Sequence, residues 1–210
     1  MRRPAESPTV VTLGLIVGVF ALQQLAGFVG GERTLFALSN PLLDRPWTLV
    51  TSVYAHAGPS HLLANAAALA LAGLLLERRT TNARFHGFFV TVGALSGVTQ
   101  VAMAGLVGSF VPGIPAHVSV LGASGAIFGL FGYLLAANRI TETVVGGFEL
   151  DPRVQLALGG VLAAVITLLT ANPGVALLAH FTGLLLGFLA GRAHLLRSAD
   201  GAPATDPARF

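Results

Sequence analysis

Residues Gly122–Ala137, GASGAIFGLFGYLLAA, decide how this chain reads. The run is apolar and close to helical in period, yet it holds only 16 residues. At 1.5 Å per residue that is about 24 Å, short of the roughly 30 Å needed to cross a hydrocarbon layer. A helix of that length ends below the membrane surface, and the end in question carries Gly122-Ala123-Ser124-Gly125. A serine set between glycines at a sunken helix end is a candidate nucleophile, provided that a base can reach it.

The rest of the chain supplies the frame. Of 210 residues, 54% are hydrophobic and 10% charged, against about 25% charged in soluble domains. Apolar segments fill most of the length: Thr9–Val29, Ser60–Leu76, Phe85–Val107, Gly122–Ala137, Val154–Ala171 and Val175–Leu196. The expected fold is therefore all-α, a polytopic membrane protein of six transmembrane helices with a short fourth one. The first segment is too long for a signal-peptide core and lacks a small-residue cleavage pattern, so it reads as a retained helix. The domain reading is a cytoplasmic segment 1–8, a membrane domain 9–197, and a disordered cytoplasmic tail 198–210 rich in Ala, Pro and Asp. The long connection Gly30–Gly58 has amphipathic stretches at Leu35–Leu43 and Trp47–Tyr54. It reads as a membrane-embedded first loop of short helices, with Trp47 and Tyr54 suited to the interface.

All twelve basic residues are Arg. With the N-terminus inside, the cytoplasmic side holds Arg2, Arg3, Arg78, Arg79, Arg84, Arg139, Arg153, Arg192, Arg197 and Arg209; the outside holds Arg33 and Arg45. That asymmetry places both termini in the cytoplasm, and the plasma membrane is the expected location. The scattered arginines form no nucleic-acid surface. The expected partners are the lipid bilayer and transmembrane segments of single-pass proteins; the oligomeric state stays open.

His180 is the candidate base. It lies five residues into the sixth segment, roughly 8 Å below that segment's outer end. Gly183 and Gly187 follow it at +3 and +7 on the same face, and Gly125, Gly129 and Gly132 face them from the fourth segment. Small residues let membrane helices approach closely, which would bring His180 to Ser124. Phe128, one turn after Ser124, can pack on the imidazole. His61 and Asn65, at i and i+4 in the second segment, lie at similar depth. With the Ser124 backbone N–H they are candidate oxyanion donors. Polar groups inside a membrane are expensive and mark function by default.

Absences narrow the chemistry. No Cys and no Lys exclude a thiol nucleophile and a Ser-Lys pair. No apolar segment holds an Asp, and no HExxH motif occurs, so aspartyl and zinc proteolysis are excluded. What fits is a Ser-His dyad. Competing readings are a non-catalytic membrane protein that binds or escorts helices, a small transporter, and a metal site built from His56, His61 and His180. Outside the site, His56 reads as structural, bonding loop backbone. His86 and His194 read as solvated or headgroup-facing, and Glu77-Arg78-Arg79 as a helix-end cap and topology signal. His117 has no assigned role.

From about Trp47 to Gly191 the sequence resembles the rhomboid family of intramembrane serine proteases. The resemblance rests on His56-x4-His61-x3-Asn65, Gly73-x3-Glu77-Arg78, Gly122-Ala123-Ser124-Gly125, Gly132-Tyr133 and Ala179-His180-x2-Gly183-x3-Gly187. It implies a rhomboid-like six-helix bundle, Ser124 as nucleophile and His180 as general base, with His61, Asn65 and the Ser124 backbone lining the oxyanion hole. It implies endopeptidase cleavage of single-pass membrane proteins in or beside their spanning segment, without metal or cofactor, at a site open to the outer side. The chain departs from the family pattern at Arg45-Pro46-Trp47-Thr48, where Trp-Arg is usual. It departs again at Phe128, where tyrosine is commoner, and ahead of His180, where an acidic residue often stands and Asn172 is the nearest polar residue.

Overall fold

A computed structural model describes residues 6–42, 44–137, 152–169 and 176–197. The expected disorder of the tail from Ser198, the long Arg139–Arg153 connection up to residue 151, and Asn172 all lie outside those residues. The architecture is helical, as expected, and each of the six apolar segments contributes a helix. They are α1 (Pro8–Phe28), α4 (Pro59–Leu76), α5 (Asn82–Phe110), α6 (Ser124–Ala136), α7 (Pro152–Leu169) and α8 (Leu177–Arg192). Of these, α1, α4 and α5 are long and apolar enough to cross a membrane. Shorter apolar helical stretches are α6, α8 and the part Ala157–Leu168 of α7.

Local chemistry sets the helix starts. Ser7 caps α1 by accepting the Val10 N–H, with Pro8 in the first turn. Thr81 caps α5 by accepting the Arg84 N–H. Proline at the first helical position costs no hydrogen bond, and Pro59 opens α4 that way after Gly58.

The first long connection folds as expected into short helices, α2 (Glu32–Phe36) and α3 (Thr48–Tyr54). The all-α expectation needs one small amendment. Leu38–Ser39 (β1) pairs antiparallel with Ser119–Val120 (β2), Leu38 opposite Val120. This ladder ties the first connection to the residues just ahead of Ser124. Alongside it, the side chain of Val53 fills the notch at Gly93 of α5, where a Cβ would lie 2.6 Å from the valine.

The core lies between α4, α5, α6 and α8. Phe85 and Phe89 are fully buried and stacked, with centroids 6.4 Å apart and planes 7° from parallel. Leu69, Ile127 and Leu130 pack with them. The tightest helix pair is α6 with α8, which meet backbone to backbone through their glycines. Gly183 sits on the Gly125 carbonyl, Gly187 on the Gly129 carbonyl and Gly132 on the Leu184 carbonyl. Larger side chains would hold the two axes apart. Here the spacing is set by main chain, which does not deform.

Polar residues inside the apolar helices hold the remaining elements. Gln23 of α1 is fully buried and grips His56 on both sides of its peptide: its Nε2 donates to the His56 carbonyl (2.9 Å) and its Oε1 accepts the His56 N–H (3.0 Å). The same Nε2 donates to Glu32 at 2.8 Å. Glu77 is buried as well. Its Oε2 accepts from Ser7 Oγ at 2.6 Å and from the Thr9 N–H at 3.3 Å, so it serves the start of α1 rather than only the end of its own helix. His86 departs from expectation too. It is half-buried, 3.4 Å from Thr12 Oγ1 and edge-on to Phe85. Arg45, three positions before Thr48, where the resemblance expects an arginine, donates to Ser39 Oγ at 2.6 Å.

Candidate active site

Ser124 is the first residue of α6, and His180 is the fourth of α8. Both stand in the first turn of their helices, so His180 lies nearer its helix end than the five-residue expectation placed it. The correction follows from the helix start, at Leu177. Likewise Gly122 and Ala123 precede α6 instead of opening it. Gly122 adopts φ +137°, a region in which a side chain is strained, and its N–H donates to the Ser52 carbonyl at 2.8 Å. The chain therefore turns sharply before Ser124 and starts the helix there.

The two residues meet. His180 Nε2 lies 2.8 Å from Ser124 Oγ, across 56 residues of sequence. The ring of Phe128 stacks on His180, with centroids 4.3 Å apart and planes 19° from parallel, which fixes the imidazole plane. His180 is buried, and its Nδ1 has no hydrogen-bond partner among the described residues. A neutral His180 accepting the serine proton at Nε2 carries its own proton on Nδ1. No carboxylate among the described residues holds that proton, so the pair is a dyad in form.

The N-terminus of α8 is held from outside the pair. Gln100 of α5 accepts from the Leu178 and Ala179 N–H groups through Oε1, at 3.0 and 3.3 Å. Those are the orphan donors of a helix start, and Ala176 offers no side-chain cap. Gln100 thereby fixes the turn that carries His180. The sequence alone does not point to it, nor to Gln23, because nothing local marks a lone glutamine as a partner to a distant backbone.

His61 packs its ring over Gly122. A Cβ at Gly122 would lie 2.7 Å from His61 Cε1, so only glycine admits the ring. Asn65 is buried on the same helix face and donates one amide hydrogen back to the His61 carbonyl at 3.1 Å. That bond uses one of its two N–H donors and leaves the other. At Ser124 the first N–H groups of α6 have no intrahelical acceptor, and the helix dipole places partial positive charge there. The arrangement suits an oxygen that becomes negative.

His56 is structural, as expected. Its ring is fully buried; Nδ1 donates to the Tyr54 carbonyl at 3.1 Å, and the ring meets His61 edge-on at 5.2 Å. Burial, reinforced by neighbouring His61, pushes its pKa down to about 4 against the smaller opposing effect of the Tyr54 bond. His117 is exposed in the connection before β2. No group of three or more His, Cys, Asp or Glu converges as a metal site among the described residues.

Comparison with known proteins agrees with this architecture. The family description "Rhomboid domain" matches residues 43–197. The chain is 36% identical over 143 residues to "Putative rhomboid protease YdcA" of Bacillus subtilis (strain 168), covering 68% of this chain and 64% of that protein. It is 34% identical over 175 residues to "RHOMBOID-like protein 5" of Arabidopsis thaliana, covering 80% of this chain and 51% of that protein. "RHOMBOID-like protein 4" of the same plant is 32% identical over 175 residues, covering 80% and 40%. The chain thus spans about two thirds or less of the length of these relatives. A helical bundle with this glycine-packed helix pair, matched over three quarters of its length by the family description, is a multi-pass integral membrane protein that belongs to the rhomboid family.

Proposed function

We propose that this protein is an active intramembrane serine endopeptidase that cleaves single-pass membrane proteins in or near their spanning segment. The observation that carries the reading is the 2.8 Å approach of His180 Nε2 to Ser124 Oγ inside the packed α6–α8 pair. Hydrogen-bond reach between nucleophile and base is the requirement that a dyad must meet.

The chemistry runs in two halves. Ser124 Oγ attacks the scissile carbonyl carbon as His180 Nε2 takes its proton. The carbonyl oxygen becomes an oxyanion, and the free N–H groups at the start of α6, the spare Asn65 amide hydrogen and His61 are its donors. Collapse breaks the C–N bond, and His180 hands its proton to the departing amine. Water then attacks the acyl-serine, losing a proton to His180, which returns it to Ser124. Fixed donors aimed at the oxyanion commonly contribute most of the rate enhancement, about 3–4 kcal/mol for each donor. The site lies on the outer side of a plasma membrane, with both termini cytoplasmic, which is the orientation the arginine distribution favours.

The test is cleavage of a model single-pass substrate by the full chain in liposomes, wild type beside Ser124→Ala. The reading expects cleavage by the wild type and none by the variant at equal folded amount. Cleavage retained in Ser124→Ala contradicts it. No cleavage by the wild type favours a non-catalytic protein that binds or escorts helices.

A further inference from the structure

In the second half of α1 the buried residue is Gln23. A carboxamide inside an apolar helix is costly, and its hydrogen bonds say what it serves. One Nε2 hydrogen goes to Glu32 Oε1 at 2.8 Å and the other to the His56 carbonyl at 2.9 Å. Oε1 accepts the His56 N–H at 3.0 Å. Both amide donors are thereby used, and the half-buried Glu32 carboxylate settles which end of the amide is nitrogen.

The His56 carbonyl shares one peptide unit with the Ala57 N–H. That N–H donates to His61 Nδ1 at 3.4 Å. A peptide whose carbonyl accepts a hydrogen bond is polarised into a better donor at its N–H. An N–H aimed at Nδ1 requires a lone pair there, so the proton of neutral His61 stands on Nε2. The ring of His56 does not set this choice, since its Nε2 has no partner among the described residues. Nε2 of His61 is also the ring nitrogen nearer Gly122. A Cβ at Gly122 would lie 3.2 Å from it and 3.9 Å from Nδ1. Gly122 stands two residues before Ser124.

We propose that Gln23 is a positioning residue for the oxyanion side of the site. Through the His56–Ala57 peptide it holds His61 as the Nε2–H tautomer, with that hydrogen free for the oxygen that becomes negative. This role rests on the catalytic reading of Ser124, and it gives α1 a part in the reaction as well as in the fold.

Long-range proton–nitrogen NMR of the histidine-labelled full chain in detergent reads which ring nitrogen of His61 carries the proton. The His61→Gln variant assigns the signals. Spectra are taken well above the ordinary histidine pKa of about 6.5. Gln23→Met keeps the length of the side chain and removes the amide; Gln24→Met, at an exposed position, is the control. Wild type and Gln24→Met are expected to show Nε2–H alone. Gln23→Met is expected to show a mixture of tautomers. Its kcat is expected to fall about threefold to thirtyfold with KM little changed, short of the roughly hundredfold cost of deleting an oxyanion donor. A glutamine that only held the fold would lower the unfolding temperature and leave the His61 signals in place. Folded Gln23→Met with wild-type His61 signals, or with wild-type kcat, therefore overturns the role. Should Gln23→Met fail to fold, the wild type decides: Nε2–H supports the role, and Nδ1–H or a mixture overturns it. The tautomer is read without substrate, so it stands or falls separately from the cleavage test on Ser124.

Discussion

Gly183 rests its Cα face on the carbonyl oxygen of Gly125, so closely that an added methyl group would overlap that oxygen. The neighbour is backbone and cannot rotate away. Gly183→Ala is therefore expected to push α8 off α6 and destabilise the protein by about 1–3 kcal/mol. Because His180 is one turn before Gly183, activity is expected to fall further than stability does. Gly14→Ala, where nothing lies within 4 Å, is the matched control and is expected to be neutral in both. Thermal unfolding and substrate cleavage, measured on the same preparations, check both expectations.

Phe128 lies flat on the His180 ring. Its contribution is orientation, and a ring contact of this kind is worth about 0.5–1.5 kcal/mol. Phe128→Ala is expected to lower the cleavage rate about twofold to tenfold, with substrate binding little changed. Phe128→Tyr keeps the ring and is expected to keep the rate. A kcat and KM comparison across the three proteins is the check. An unchanged rate in Phe128→Ala would show that the imidazole is held by other groups.

His56 gives the folded state a pH dependence. Its pKa is about 4 in the folded protein, lowered chiefly by burial, against an ordinary value of about 6.5 when unfolded. Between those values the unfolded chain binds the proton more readily. The stabilisation from neutral His56 is therefore complete above about pH 6.5 and is lost as pH falls toward 4. His56→Gln is expected to flatten the decline of unfolding temperature with acidification across that window. Parallel profiles for the two proteins would show that other groups carry the dependence.

Much of this structure is legible in the sequence for physical reasons. The six helices follow from apolar length, and the meeting of α6 with α8 from glycines at +3 and +7 after His180 facing Gly125, Gly129 and Gly132. The stack of Phe128 on His180 follows from a spacing of one helical turn. What stays hidden depends on long-range partners with no local signature. Gln23 clamping the His56 peptide and Gln100 capping α8 are each one polar residue on an apolar helix, and Glu77, which receives Ser7, opens the charged turn after α4. The β1–β2 ladder is two residues long, too short to leave a periodicity. Composition places the start of α6 two residues early, because Gly122 continues the apolar run in composition while breaking it in conformation.

Activation of Ser124 by His180 in the folded protein is read most directly by labelling the full chain in detergent with a fluorophosphonate probe, followed by peptide mass mapping. An adduct is expected on Ser124 of the wild type, lost in Ser124→Ala and strongly reduced in His180→Ala. Folded wild type that takes no label on Ser124, or labelling there that His180→Ala leaves unchanged, would contradict the dyad.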